Sequence, residues 1–426
     1  MTLAMIATMV VLLLLGFPMM IPLLAATFVA FFGFFSGISP DIMVQQMLAG
    51  IRPAALTAVP MFILAADIIT KGHSADRLLD LIMKFAGHVK GGLGVTAAAT
   101  CTLFGAVSGS TQATVVAIGG PLRPRMLQAG YKDSYVLALI VNASDIAMLI
   151  PPSIAMIVYG VVSGTSISEL FIAGVGPGLL ILALFSAYSV AYAYVYDIPT
   201  LEKATWSERF DVMKRAVWPL GFPVIIVGGI YGGVFSPTEA AAVCVLYAFL
   251  LEFVIFRSLK LPELWGIAMS TGLITAVVFI LVGIGAAFSW AISFAQIPQE
   301  IIAALGLAEA GPTMVLIAIS IAFFVGCMFV DPIVVILVMV PIFAPLVQAT
   351  GLDPVLVGVI VTLQVAIGSA TPPFGCDIFT AIAVFKRPYL DVIRGTPPFV
   401  LILLAVSVAL ILFPQIALFL RDLAFR

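Results

Sequence analysis

The chain has 426 residues, 63% of them apolar and 9% charged, with a mean hydropathy of +1.24. Soluble domains carry about 25% charged residues, so lipid is the implied solvent, and a net charge of −2 gives no reason for a nucleic-acid partner. His73 and His88 share one polar stretch with no HExxH, and Cys101, Cys244, Cys327 and Cys376 lie in apolar runs without CxxC spacing, which leaves a metalloenzyme without ligands.

A crossing helix needs about 20 apolar residues. That length predicts spans at 2–17, 18–36, 53–71, 133–162, 167–197, 218–235, 237–257, 270–293, 354–385 and 392–420. The N-terminus lacks the basic region of a cleaved leader, so the first apolar run is expected to remain as a span. In 74–89, Leu78, Leu81, Ile82, Phe85 and Val89 form one helical face opposite Asp76, Arg77, Asp80, Lys84 and His88, the pattern of a helix lying along the interface. Segment 201–217 repeats the pattern with Trp206, Phe210, Met213 and Val217 and reads as an amphipathic connector anchored at the surface. Stretches 92–128 and 312–347 are too long for one span and carry a polar interruption, so each is expected to be a re-entrant hairpin. When each hairpin enters and leaves by one side, Arg52, Arg421 and Arg426 fall on one face and the rest of the nineteen Lys and Arg on the other. The positive-inside rule makes the crowded face cytoplasmic and puts both termini in the periplasm.

The chain repeats itself. Gly105 recurs as Gly326, Gly130 as Gly351, Pro151-Pro152 as Pro372-Pro373, Gly174 as Gly395 and Pro177 as Pro398, all at one constant offset. Glycine and proline fix backbone shape, so the repetition is of a path. A first repeat at 1–200 and a second at 218–426 each hold five spans and a hairpin; five is odd, so the second copy is inverted. Segments 74–89 and 295–309 are expected to be arms linking a moving domain to a fixed one.

Backbone that is not helical is tolerated at membrane depth only where it is buried in protein or lines a cavity. Four such places occur: the turns at Ser108–Gln112 and Gly326–Pro332, and the breaks at Asn142–Ser153 and Gly368–Pro373. A broken helix exposes carbonyls at one half-end and amides at the other. With hydroxyls and a carboxylate, the carbonyls form an oxygen cage for a hard cation such as Na⁺, and the amides can hold a carboxylate. One cage is expected per repeat, the first at Ser108, Gly109, Ser110 and Asn142, the second at Val330, Asp331, Gly368, Thr371 and Pro372. The solute is expected to meet Thr111, Gln112, Ser144, Asp145, Pro151 and Ser369. A charge at the bilayer centre costs about 2.5–3.5 kcal/mol, so Asp145, Asp331 and Asp377 call for a cavity or a bound cation. Asp377 reads equally as a cap for the helix after Pro372-Pro373. Glu239 after Pro237 reads as structural, and Arg52 as an interfacial anchor.

On these residues the chain resembles the large membrane subunit of tripartite ATP-independent periplasmic (TRAP) transporters. The matching stretches are FGAVSGSTQATVVAIGG at 104–120, LIPPSIAMIVYG at 149–160, GGVFSPTEAAAVCVLYAFL at 232–250, GCMFVDPIVVILVMVPIFAPLVQATGLDP at 326–354 and QVAIGSATPPFG at 364–375. The resemblance implies an all-α integral protein of the bacterial inner membrane. It would be an inverted-repeat elevator-type transporter with two re-entrant hairpins and two broken helices, and not an enzyme. It implies no cofactor, Na⁺ as coupling ion, a carboxylate solute delivered by a periplasmic substrate-binding protein, and a small four-helix membrane subunit as partner. Sialic acid is the favoured solute and a C4-dicarboxylate the alternative; a stand-alone Na⁺/C4-dicarboxylate symporter is the nearest rival. Asn142–Asp145 departs from the small, mostly uncharged residues expected there, which marks Asp145 for substrate selection.

Overall fold

In a lipid core every backbone N–H and C=O must find a partner within the protein, and the regular structure among the described residues is helical throughout. The computed structural model describes residues 1–425 except 305 and 308. Residue 426, expected in the periplasm, lies outside the described residues, as do two positions of the expected 295–309 arm. Local chemistry sets many helix starts. Ser236 and Glu239 form a reciprocal capping box, as do Thr205 and Glu208, so Glu239 is structural as read from sequence. Pro312, Pro332 and Pro354 occupy first helical positions, where a missing N–H leaves nothing unpaired.

Among the described residues, five helices are long and apolar enough to cross a membrane: Ala54–Lys71, Ile167–Val195, Pro237–Ile255, Leu261–Phe294 and Pro332–Thr350. Other crossings are built from shorter pieces, and several expected spans change accordingly. Thr2–Leu14 and Met20–Gly33 have 13 and 14 residues, roughly 20 Å each at 1.5 Å per residue, less than the ~30 Å of hydrocarbon. The expected span at 392–420 is two helices, Pro397–Leu412 and Gln415–Ala424, bent by 60° at Pro414. The span expected from 270 begins at Leu261 and runs 34 residues. Its counterpart in the first repeat is split into Asp41–Ile51 and Ala54–Lys71 by Arg52-Pro53. Proline removes a helical hydrogen bond and clashes with the preceding turn; the repeat offset puts Ile274 in the place of Pro53, and there the helix runs through.

Two groups of helices result. In one, Met20–Gly33 and Asp41–Ile51 lie against Leu261–Phe294, and Ala54–Lys71 against Pro237–Phe249. Small residues allow the close approach: a Cβ on Gly50 would stand 2.3 Å from that of Ala286. In the other, the first hairpin (Gly92–Ser108 and Thr111–Gln128) and the second (Pro312–Cys327 and Pro332–Thr350) surround two broken helices. These run Asp133–Ser144 to Ile154–Ser163 and Pro354–Ser369 to Cys376–Phe385. The first arm of each hairpin packs on the first half of its own repeat's broken helix, and the second arm on the second half of the other repeat's. The repeats are thereby interlocked. At one end Asp133 accepts both hydrogen bonds of Arg123, each 2.8 Å, and pairs with Arg387 of the other repeat at 2.9 Å.

The arm helix runs Ser74–Ala86. Its buried face is Ala75, Leu78, Leu79 and Leu81, while Phe85 and Val89 of the expected stripe are exposed. In Trp206–Ala216, Trp206, Phe210 and Met213 keep their apolar faces outward, and Val217 just beyond it does the same. Ile297–Ala304 occupies the second arm's place.

Candidate functional site

The first hairpin turns sharply at Gly109 and Ser110. Gly109 has φ +60°, a left-handed conformation that glycine alone adopts freely, and a Cβ there would lie 2.2 Å from the Pro152 carbonyl oxygen. The tip therefore rests directly on the first break. Ser110, extended, caps the second helix by accepting from Ala113 N at 3.4 Å. The Ser108 and Thr114 hydroxyls are 3.2 Å apart, and Thr114 Oγ1 donates to the Ser110 carbonyl at 2.8 Å. At the break, Ser153 caps Ile154–Ser163, and Pro151 is buried.

The second tip and break mirror this with different chemistry. Asp331 is the repeat counterpart of Ser110 and performs the same task, Oδ1 accepting from Ile333 N at 2.9 Å. This occupies one oxygen of a carboxylate expected to help form the second cation cage. Phe374 N donates to Met328 O at 3.2 Å, tying this tip to its break. A Cβ on Gly368 would meet that of Cys327 at 2.6 Å. Thr371 Oγ1 donates to Ile367 O at 2.6 Å, leaving its lone pairs available. Val330, Asp331, Gly368, Thr371 and Pro372 thus share one region, as Ser108, Gly109 and Ser110 share another.

Asn142 is fully buried in the last turn of Asp133–Ser144, where the first break begins; its Nδ2 returns to Ala138 O at 2.8 Å and its Oδ1 has no partner among the described residues. Asp145 is also fully buried, and neither oxygen has a partner among the described residues. Ser144 donates to Val141 O at 2.5 Å and is engaged within its own helix.

The residue that joins these parts is Asp377. Fully buried, it accepts from Thr111 Oγ1 at 2.7 Å and from Ser369 Oγ at 2.6 Å. It makes no cap bond, so it links the first hairpin's tip to the second break. The sequence offers no local signal for this, since Thr111 and Asp377 are 266 residues apart. Thr111→Val and Asp377→Asn should show a coupling of about 1.5–3 kcal/mol in a double-mutant cycle read from solute affinity, the range for a hydrogen bond to a charged group. Additive effects would mean that the bond does not help to form the site.

The tips face the first helix group across a cavity of about 100 Å³ lined by Gly109, Ser110, Thr111, Gln112 and Asp331 against Ile63, Ile274 and Val278. A neighbouring cavity of about 300 Å³ adds Asp67, Thr70 and Ser108. Asp67, unremarked in the sequence, accepts from Thr271 at 2.8 Å. Among the described residues the two linings include two carboxylates and neither lysine nor arginine. Such a site disfavours a bare anion and favours cations, or a solute that carries a positive group.

Residues 6–416 match the family described as "Tripartite ATP-independent periplasmic transporter, DctM component". The chain belongs to that family. It is a transporter permease, not an enzyme. It is 71% identical over 427 residues, covering 100% of both chains, to the ectoine TRAP transporter large permease protein TeaC of Halomonas elongata. It is 73% identical over 419 residues, 98% of each, to the ectoine/5-hydroxyectoine permease UehC of Ruegeria pomeroyi. The sialic acid permease SiaM of Vibrio cholerae is 35% identical over 379 residues, 89% of each. The expected sialic-acid branch is therefore corrected: the permeases it resembles at twice that identity are named for ectoine. The fold is similar to that of the Alcanivorax borkumensis YdaH transporter, with a TM-score of 0.60 at 15% identity over 88% of this chain and 87% of that one.

Proposed function

We propose that this chain is the membrane permease of an importer for ectoine and related compatible solutes. The reading rests on 71% and 73% identity along essentially the whole chain to two permeases named for ectoine. The acidic site supports it. Ectoine is a small zwitterion whose cationic amidine suits a lining with Asp67 and Asp331 and no basic side chain among the described residues, whereas sialic acid and C4-dicarboxylates bring only negative charge. A periplasmic binding protein delivers the solute and a small membrane subunit completes the permease, as the family description implies. The basic face is cytoplasmic and the termini periplasmic.

Transport proceeds by an elevator. The hairpins and broken helices, interlocked across the repeats, move as one body against the scaffold of Ala54–Lys71, Pro237–Ile255 and Leu261–Phe294, carrying the solute past Ile63, Ile274 and Val278. Na⁺ binds in the oxygen-rich regions behind the two tips. There the oxygens of Asn142 and Asp145 that have no partner among the described residues, and on the other side those of Asp331 and Thr371, meet the cation. The cations hold the tips closed and reduce the cost of taking a charged site past an apolar wall. The test is Na⁺-driven uptake in liposomes with the two partner proteins and a panel of labelled solutes. Ectoine should accumulate, and excess sialic acid or succinate should not compete. Accumulation of sialic acid or succinate with no response to ectoine would replace this reading.

A further inference from the structure

The arm helix Ser74–Ala86 begins without a cap of its own. His73 at the cap position contributes no side-chain bond, although a helix start leaves four N–H groups to satisfy. The partner comes from the scaffold. Glu252, fully buried near the end of Pro237–Ile255, accepts from His73 N at 3.1 Å through Oε2 and from Ser74 N at 3.2 Å through Oε1. The hydroxyls of Ser74 and Ser258 donate to the same carboxylate. Gly72 makes room: a Cβ there would lie 2.1 Å from Glu252 Cδ. The scaffold helix widens into a π-helical turn over Leu250–Ile255 around this residue, a distortion that often marks a functional position.

We propose that Glu252 is a positioning residue for transport, capping the arm in trans and fixing its first end to the scaffold, so that the arm turns at its other end, Gly87–Gly92. The proposal rests on the elevator reading above. A buried carboxylate that bonds backbone amides and hydroxyls, with the arm's Arg77 guanidinium also close enough to feel its charge, loses most of these partners if the joint opens, and an orphaned buried charge is costly. This joint therefore stays shut through the cycle. The arm's ion pairs are Asp80–Arg125 at 3.0 Å and Lys84–Glu208 at 2.9 Å, all four side chains at least 36% exposed, and water can replace them readily. Beyond the helix come Gly87, Gly91 and Gly92, with Gly91 at φ +77°.

The experiment crosslinks the reconstituted transporter in a background without the four native cysteines. A short bismaleimide joining His73→Cys to Arg257→Cys should leave ectoine uptake unchanged, because these positions flank a joint that does not move. The same reagent joining Val116→Cys to Ile274→Cys, across the cavity between hairpin and scaffold, should stop it. Loss of uptake with the first pair overturns the fixed joint alone; continued uptake with the second overturns the elevator reading and the joint with it. Independently, Glu252→Ala should lower turnover by about tenfold, the scale for losing hydrogen bonds to a buried charge. Adding His73→Asp, which caps the arm in cis, should restore thermal stability without restoring turnover. Recovery of turnover would show that the arm needs a cap and no anchor.

Discussion

Gly109→Ala is expected to abolish solute uptake while the protein still inserts and purifies as a monodisperse species. Two independent effects act at this position. The backbone is left-handed at φ +60°, where a Cβ crowds the following carbonyl oxygen. The added Cβ would also lie 2.2 Å from Pro152 O and 3.0 Å from Pro152 C. Those are backbone atoms and cannot rotate aside as a side chain could, so the tip itself must retreat by about 1 Å. A misplacement of about 1 Å costs a preorganised site roughly a hundredfold, and here it separates the tip from the break beside which the first cation is proposed to bind. The control lies on the same hairpin: a Cβ on Gly120 would find nothing within 4 Å, and its φ is ordinary, so Gly120→Ala should transport normally. Normal Na⁺-driven uptake by Gly109→Ala would show that the tip need not rest on Pro152 during the cycle.

The second large effect is electrical. With the proposed single cation in each repeat and a zwitterionic solute, two positive charges would move inward per cycle. Each charge crossing 100 mV is worth about 2.3 kcal/mol, so two contribute about 4.6 kcal/mol, a gain in limiting accumulation on the order of a thousandfold. A monoanionic solute such as sialic acid, with the same two cations, would move one charge and gain only about fiftyfold. The steepness of the voltage response therefore reports the charge of the solute as well as the number of cations. Proteoliposomes at a fixed Na⁺ gradient, with the potential set by potassium and valinomycin, should show ectoine accumulation rising with the square of the imposed potassium ratio. Accumulation that rises only in proportion to that ratio would reduce the coupling to one net charge, and indifference to potential would exclude two cations per zwitterion.

Both effects rest on features that are unevenly legible in the sequence. The tips at Ser108–Thr111 and Val330–Pro332 and the breaks at Pro151-Pro152 and Pro372-Pro373 are legible because glycine and proline restrict the backbone locally, whatever packs around them. Their recurrence at one offset makes the two-fold plan legible as well. The helix starting at Leu261 reads from sequence as beginning at 270, because Pro262, Glu263 and Gly266 dilute the hydropathy of its first turns. Solute preference is poorly legible because tips and breaks shape the backbone and leave the charge of the lining to scattered side chains such as Asp67.

By itself the sequence determined that the chain lives in lipid, that it repeats a path, and where that path bends at membrane depth. Each of these follows from composition or from local backbone sterics, which act within a few residues. Only the tertiary structure decided that Asp377 of one repeat holds Thr111 of the other, that Glu252 caps an arm beginning beside His73, and that each hairpin grips both broken helices. The polar pairings among these join buried groups far apart in the chain. The physical demand that creates them, a partner for every charge and amide away from water, acts through space and leaves no periodicity to read.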